Sequence, residues 1–181
     1  MINVTKTYVP NIDRYKEYVD RIFESGWFTN NGEILKKLEE ELSAYLKVDN
    51  LLLVSNGTLA LQLSYKLLGL KDQVITTPFS FVATTSSLIW EGLEPVFADI
   101  DPGTLNICVD EVEKKINNRV TGIVATHVYG NPCDVEKLDW IARKWNIKLI
   151  YDAAHAFGVD YENQGLLNFG DISAISFHST K

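Results

Sequence analysis

The sequence predicts an α/β fold, a mostly parallel sheet with helices on both faces. Three observations carry that expectation. From Leu51 onward, short apolar runs and stretches of helical periodicity follow one another in strict alternation, the pattern of strands joined by crossover helices. The runs are short and apolar, as strands buried from both sides are. With 181 residues and a 46% hydrophobic composition, the chain can bury one substantial core.

Two amphipathic helices open the chain. Apolar residues recur at helical spacing over Ile12–Phe23 (Ile12, Tyr15, Val19, Ile22, Phe23) and over Ile34–Leu46 (Ile34, Leu35, Leu38, Leu42, Tyr45, Leu46). Between them, Gly26-Trp27-Phe28-Thr29-Asn30-Asn31-Gly32 combines turn formers with two large aromatics. This loop reads either as a binding loop or as a connector whose aromatics turn into the core. Strands are then expected at Leu51–Val54, Gln73–Thr76, Glu94–Ala98, Ile123–Thr126, Lys148–Tyr151 and Ala174–Phe177. Helices are expected at Thr58–Leu68, Phe81–Trp90, Val109–Ile116 and Val135–Trp145. No internal repeat, low-complexity stretch or linker interrupts the pattern. The last strand runs out at Lys181 with no helix after it to cover the sheet, so the natural protein is expected to continue, and the 181-residue piece alone is expected to be unstable or inactive.

Composition excludes several classes of function. A net charge of -7 without basic clusters argues against a nucleic-acid or acidic-membrane surface, since such partners need concentrated Lys and Arg. Cys108 and Cys133 form no CxxC pair, which argues against a disulfide framework or a zinc site; no metal is expected. The first residues lack the apolar run of a signal peptide, and no apolar stretch reaches the length of a bilayer span, so a cytoplasmic location is expected.

Three short motifs carry chemistry. Ser55-Asn56-Gly57-Thr58 follows a predicted strand and opens a predicted helix, where backbone N–H groups and the helix dipole favour a phosphate. The same four residues also read as an ordinary N-cap, and they lack the GxxxxGK[ST] pattern of a nucleoside triphosphatase. Asp152 in Ile150-Tyr151-Asp152-Ala153-Ala154-His155-Ala156 stands at the carboxyl end of a buried strand, where open α/β sheets place ligand contacts. A buried carboxylate needs a positive partner, and a protonated pyridine nitrogen is one; a helix cap is the other reading. Lys181, closing Ser176-Phe177-His178-Ser179-Thr180-Lys181, lies just past a strand end and can form an imine with an aldehyde cofactor, although most single lysines are solvated surface charges. The order of phosphate cradle, carboxylate and lysine, each at a strand's carboxyl end, makes one signal of three.

With these residues in view, the sequence resembles the DegT/DnrJ/EryC1/StrS family of sugar aminotransferases, pyridoxal-phosphate (PLP) enzymes of the aspartate-aminotransferase fold type. The matching stretches are Gly26-Trp27-Phe28-Thr29-Asn30, Ser55-Asn56-Gly57-Thr58, Thr77-Pro78-Phe79-Ser80-Phe81-Val82-Ala83-Thr84, Pro95-Val96-Phe97-Ala98-Asp99-Ile100-Asp101, His127-Val128-Tyr129-Gly130, Asp152-Ala153-Ala154-His155-Ala156 and Ser176-Phe177-His178, together with Lys181. The resemblance implies that Gly57, Thr58 and Ser176 hold the PLP phosphate, that Asp152 pairs with the pyridine nitrogen and that Phe81 stacks on the ring. It implies that His155, where relatives often have Gln, approaches the phenolic oxygen. Lys181 would be the catalytic residue, forming the imine and then shuttling the proton. Trp27, Thr29 and Asn30 would lie near the substrate.

The resemblance further implies residues 51–181 as an incomplete PLP-binding large domain, residues 1–50 as a helical segment packing on it, and a small C-terminal domain outside this chain. It implies transfer of an amino group from an amino donor, usually L-glutamate, to a nucleotide-linked keto-sugar, in a homodimer with shared active sites. Val74–Thr84 and Asp101–Ile107 look most like the enzymes making dTDP-4-amino-4,6-dideoxyglucose, hence C4 amination of dTDP-4-keto-6-deoxyglucose. The rival readings are a PLP-dependent sugar dehydratase, in which His replaces the lysine, another enzyme of the fold type such as an amino-acid aminotransferase or cysteine desulfurase, and an inactive PLP-binding or partner-binding fragment.

Overall fold

The sheet is built from five strands in the order β2-β1-β3-β4-β7, every neighbouring pair parallel. These strands are β1 Gln73–Thr76, β2 Glu94–Phe97, β3 Val120–Thr126, β4 Lys148–Asp152 and β7 Ile172–Ala174. Residues 6–179 are described in the structure, a computed structural model. Successive strand residues point to opposite faces, and the two cores divide accordingly. Ile75, Ile123, Ala125, Leu149 and Tyr151 pack with α5 (Val109–Lys115) and α6 (Val135–Trp145) through Val112, Leu138 and Ile141. Val74, Val124, Ile150 and Ala174 pack with α3 (Gly57–Leu67) and α4 (Val82–Trp90) through Leu61, Tyr65 and Leu88. The expected fold class is therefore the observed one. Chain order reverses at β1: β2 lies on one side, reached through α4, and β3 on the other, reached through α5. Such a switch point opens a crevice outside the strands' carboxyl ends.

The structure corrects four sequence expectations. Leu51–Val54 forms no strand; the Leu53 N–H donates to the Glu39 carboxylate at 2.9 Å, and among the described residues this segment pairs with no strand. The last strand is Ile172–Ala174 rather than Ala174–Phe177, because its ladder to β4 stops where β4 stops. The Ala153 N–H still donates to the Ala174 carbonyl at 2.8 Å, but the Ala154 N–H turns back to its own chain. Strict alternation also fails between β4 and β7, where the crossover carries no α-helix. It contains a hairpin, β5 (Asp160–Tyr161) with β6 (Gln164–Gly165), and a single helical turn at Leu166–Asn168. Glu162 and Asn163, both left-handed with φ of 48° and 66°, form the two-residue turn. Lastly, α4 starts at Val82, leaving Phe81 extended (φ −66°, ψ 146°) as the residue before the helix.

The described residues divide into two compact units, Val54–Phe177 and the described parts of 1–53 and 178–181. The latter contains α1 (Ile12–Ser25) and α2 (Glu33–Leu46). Asn11 caps α1 by accepting from the Asp13 and Arg14 N–H groups, each at 3.0 Å, and Gly26 ends it in the left-handed region. The aromatics of the connecting loop do not enter a core. Trp27 and Phe28 are 57% and 62% exposed, Phe28 meets Phe23 edge-on, and the Trp27 Nε1–H donates to the Asn30 carbonyl at 3.0 Å. Both cysteines are free. Among the described residues no helix is long and apolar enough to cross a membrane, and no three His, Cys, Asp or Glu side chains form a metal-binding group.

Candidate active site

The N-terminus of α3 combines both readings of its motif. Asn56 is the N-cap, its side chain accepting the Leu59 N–H at 2.8 Å. That bond satisfies the third amide of the helix and the Asn56 carbonyl receives the fourth, Ala60, so the amides of Gly57 and Thr58 are the two without an intrahelical acceptor. A Cβ on Gly57 would stand 3.7 Å from the Ser176 Cβ and 3.8 Å from the Ile175 carbonyl. Ser176, 119 residues away in sequence by the difference of the two numbers, is thus brought against the first turn of α3. Two helix-terminal amides beside the hydroxyl-bearing residues Thr58 and Ser176 suit a phosphate dianion.

Asp152 ends β4 on the face shared with α3 and α4, and is 6% exposed. Its Oδ1 accepts the Ala154 N–H at 3.1 Å, and its Oδ2 accepts the Thr84 hydroxyl at 2.6 Å. Among the described residues no cationic side chain pairs with it. A buried carboxylate held by two neutral donors, with no cation among the described residues, has acceptor lone pairs left for a charged N–H, which is what a protonated pyridine nitrogen offers. The residues present therefore fit PLP at this point. Phe81, 68% exposed, precedes α4, and the Thr84 N–H donates to the Phe81 carbonyl at 3.1 Å, so the Phe81 ring and the hydroxyl at Asp152 belong to one helical turn.

His155 follows Asp152 by three residues. Its Nδ1 accepts the Tyr129 N–H at 3.3 Å, which puts the proton of the neutral ring on Nε2, and its ring lies parallel to that of Tyr129 at 6.1 Å. The turn that brings Tyr129 here is left-handed at Tyr129 (φ 55°) and Gly130 (φ 78°). Gly130 is required by proximity as well as by φ, since a Cβ there would lie 2.9 Å from the His155 carbonyl oxygen. Sequence reasoning gave this turn no role.

Beneath the turn, His127 is fully buried and lies stacked on Tyr151 at 4.3 Å. Its Nδ1 accepts the Cys133 N–H at 3.1 Å, and its backbone N–H donates to the Asp152 carbonyl at 3.1 Å. Burial lowers the imidazole to about 4 and pushes the Cys133 thiol up to about 12. An unfolded His127 binds its proton near 6.5 and the folded one near 4, so between those values the unfolded state holds more protons. This histidine therefore costs no stability above pH 6.5 and increasingly destabilises the fold as pH falls toward 4. Denaturant melts of the natural protein should show that wild type loses about 2 kcal/mol more between pH 7 and pH 5 than His127→Asn does. Equal losses would show that His127 takes up its proton as readily in the fold as in the unfolded chain.

Four expected site residues remain, Lys181, Trp27, Thr29 and Asn30. Lys181 lies outside the described residues. Trp27 and Thr29 belong to the other compact unit, where with Arg21, Phe28 and Gly32 they line a cleft of about 250 Å³; Asn30 contributes through its carbonyl to the Trp27 ring nitrogen. Thr84 is the residue at the Asp152 carboxylate that sequence reasoning passed over. It stood inside a quoted motif, but only helical spacing from Phe81 combined with the fold brings its hydroxyl to Asp152.

A parallel sheet of this order with helices on both faces is an aminotransferase-type fold, and comparison with known proteins specifies it. Residues 11–181 match the DegT/DnrJ/EryC1/StrS aminotransferase family, and the chain belongs to that family. The chain is 47% identical over 180 residues to a dTDP-4-amino-4,6-dideoxy-D-glucose transaminase of Shigella dysenteriae, covering 99% of this chain and 49% of that one. Among solved structures it is similar to DesI in the presence of its TDP-sugar product, with a TM-score of 0.92, 34% identity and coverage of 98% of this chain and 44% of that one. It is similar also to the PMP-form of the putative sugar aminotransferase Spr1654 from Streptococcus pneumoniae, with a TM-score of 0.90, 26% identity and coverage of 100% and 49%. The chain spans about half the length of the curated relatives it matches.

Proposed function

We propose that this chain carries the cofactor-binding part of a PLP-dependent aminotransferase that moves an amino group from L-glutamate to C4 of dTDP-4-keto-6-deoxyglucose, in a homodimer with shared active sites. The observation that carries the reading is Asp152, a buried carboxylate facing α3 and α4 with two neutral donors and no cation among the described residues. The sugar and nucleotide rest on the relatives, one a transaminase of dTDP-4-amino-4,6-dideoxy-D-glucose and one a protein crystallised with its TDP-sugar product. The proposed cofactor-binding large domain covers residues 51–181.

Bound PLP supplies an electron sink, stabilising the pair left when a proton departs from the carbon beside the substrate nitrogen. The chain's own residues prepare for that. The Gly57 and Thr58 amides, with the Thr58 and Ser176 hydroxyls, hold the phosphate as a fixed anchor. Asp152 keeps a negative charge at the pyridine nitrogen and thereby keeps a proton there. Phe81 covers one ring face and excludes water from it. The His155 ring, its Nδ1 engaged by Tyr129, directs Nε2–H to the phenolic oxygen. Lys181 takes the proton from the donor's α-carbon and returns one elsewhere, so that the donor leaves as a 2-keto acid and the keto-sugar leaves aminated.

The test is spectroscopic and then preparative. The natural protein mixed with PLP should develop a visible absorbance band that L-glutamate bleaches and a 2-keto acid restores, and dTDP-4-keto-6-deoxyglucose should be the best substrate in a panel of nucleotide keto-sugars. Absence of any spectral response would favour the binding-fragment reading. A response with loss of the sugar hydroxyl instead of gain of nitrogen would favour the dehydratase.

A further inference from the structure

A chain of buried polar groups runs from α3 to the site carboxylate, and none of the roles above uses it. Tyr65, 1% exposed on α3, shares a 3.1 Å hydrogen bond with Ser87 of α4, itself 1% exposed. The Ser87 hydroxyl lies 3.3 Å from the Thr84 carbonyl, one turn earlier. Thr84, wholly buried, ends the chain by donating to Asp152 Oδ2. Burial is the main influence on the Tyr65 phenol, and Asp152 adds to it; both push it up, so the phenol keeps its proton. Buried polar groups of this kind are costly unless each is satisfied, and these satisfy one another along a path that ends on a charge.

The two donors to Asp152 act on different oxygens. The Ala154 N–H alone would leave the carboxylate free to swing about its Cβ–Cγ bond, whereas a second donor on Oδ2 fixes the plane of the group. Once the plane is fixed, the remaining lone pairs have one orientation in which to meet an N–H arriving from the crevice. Val82 and Ala83, which share the first turn of α4, have no hydroxyl with which to do this.

We propose that Thr84 is a positioning residue for the cofactor, orienting the Asp152 carboxylate toward the pyridine nitrogen. The proposal rests on the reading that Asp152 pairs with that nitrogen. Thr84 touches neither substrate nor cofactor; it acts through Asp152.

The experiment measures the dissociation constant for PLP of the natural protein in cofactor-free form, by fluorescence titration, with thermal midpoints recorded alongside. Thr84→Val, which keeps the shape and removes the donor, should weaken PLP binding about tenfold, the loss expected for one hydrogen bond to a charged group. Thr84→Ser should bind as wild type does, and inorganic phosphate should bind Thr84→Val and wild type equally. Asp152→Asn should weaken PLP binding by itself, and Thr84→Val added to Asp152→Asn should weaken it no further. If Thr84→Val does not fold, Thr84→Ala is read in the same cycle. Unchanged PLP affinity in Asp152→Asn would overturn the reading of Asp152 itself. Weakening by Asp152→Asn with none by Thr84→Val, or a full tenfold loss from Thr84→Val in the Asp152→Asn background, would overturn the role of Thr84 while leaving that of Asp152 intact.

Discussion

Lys181→Ala is expected to abolish amino-sugar formation, lowering kcat by at least about 10³-fold, within the span that a positioned general acid-base contributes. Binding of PLP should persist, because the anchor proposed at Gly57, Thr58 and Ser176 does not involve the lysine. A discontinuous assay with dTDP-4-keto-6-deoxyglucose and L-glutamate, paired with cofactor retention on a desalting column, reads both. Partial recovery of turnover on adding a small primary amine would identify the missing function as proton transfer. Full turnover by the variant without any additive would remove Lys181 from the chemistry, and with it the order of motifs on which the reading began.

Asp152→Asn is expected to cost about 10²- to 10³-fold in kcat, the range seen when one electrostatic partner of a developing charge is removed. The substitution keeps the size of the group and its bond to the Ala154 N–H but removes the charge. The pyridine nitrogen then has no anion to hold its proton, so the loss should appear in kcat with little change in the KM for the sugar. A variant whose loss lay entirely in sugar KM would place Asp152 at the substrate, not at the cofactor. Because Asp152 is buried among neutral partners, Asn should also cost little thermal stability, which separates the catalytic effect from unfolding.

Much of the sheet was legible because parallel strands buried on both faces announce themselves as apolar runs, and β1, β2 and β4 lie within a residue of where the runs place them. What was illegible follows from pairing, which one sequence does not display. Leu51–Val54 is as apolar as β1 but finds no ladder among the described residues, and Ile172-Ser173 is too polar to look like a strand yet pairs with β4. The hairpin at Asp160–Gly165 rests on two left-handed residues, neither of them glycine, so its turn lacked the usual signal. At the candidate site, positions at strand and helix ends were readable: Gly57 opens α3, Asp152 ends β4 and Ser176 lies against Gly57, as their motifs suggested. Thr84, Ser87 and Tyr65 were not, since small hydroxyls inside helices read as neutral filler until a fold brings a carboxylate to them.

The strict two-residue alternation of β4 sets how this protein can change. Asp152 faces α3 and α4 only because Tyr151 faces the opposite core, so losing or gaining one residue between Lys148 and Tyr151 would exchange them, driving a carboxylate into an apolar layer and a phenol into the crevice. Diversification in such a scaffold is confined to segments that can change length without reversing a strand. The connection from β4 to β7 is one, a hairpin and a single turn where other crossovers have a helix, and it can lengthen or shorten while the carboxylate stays where it is.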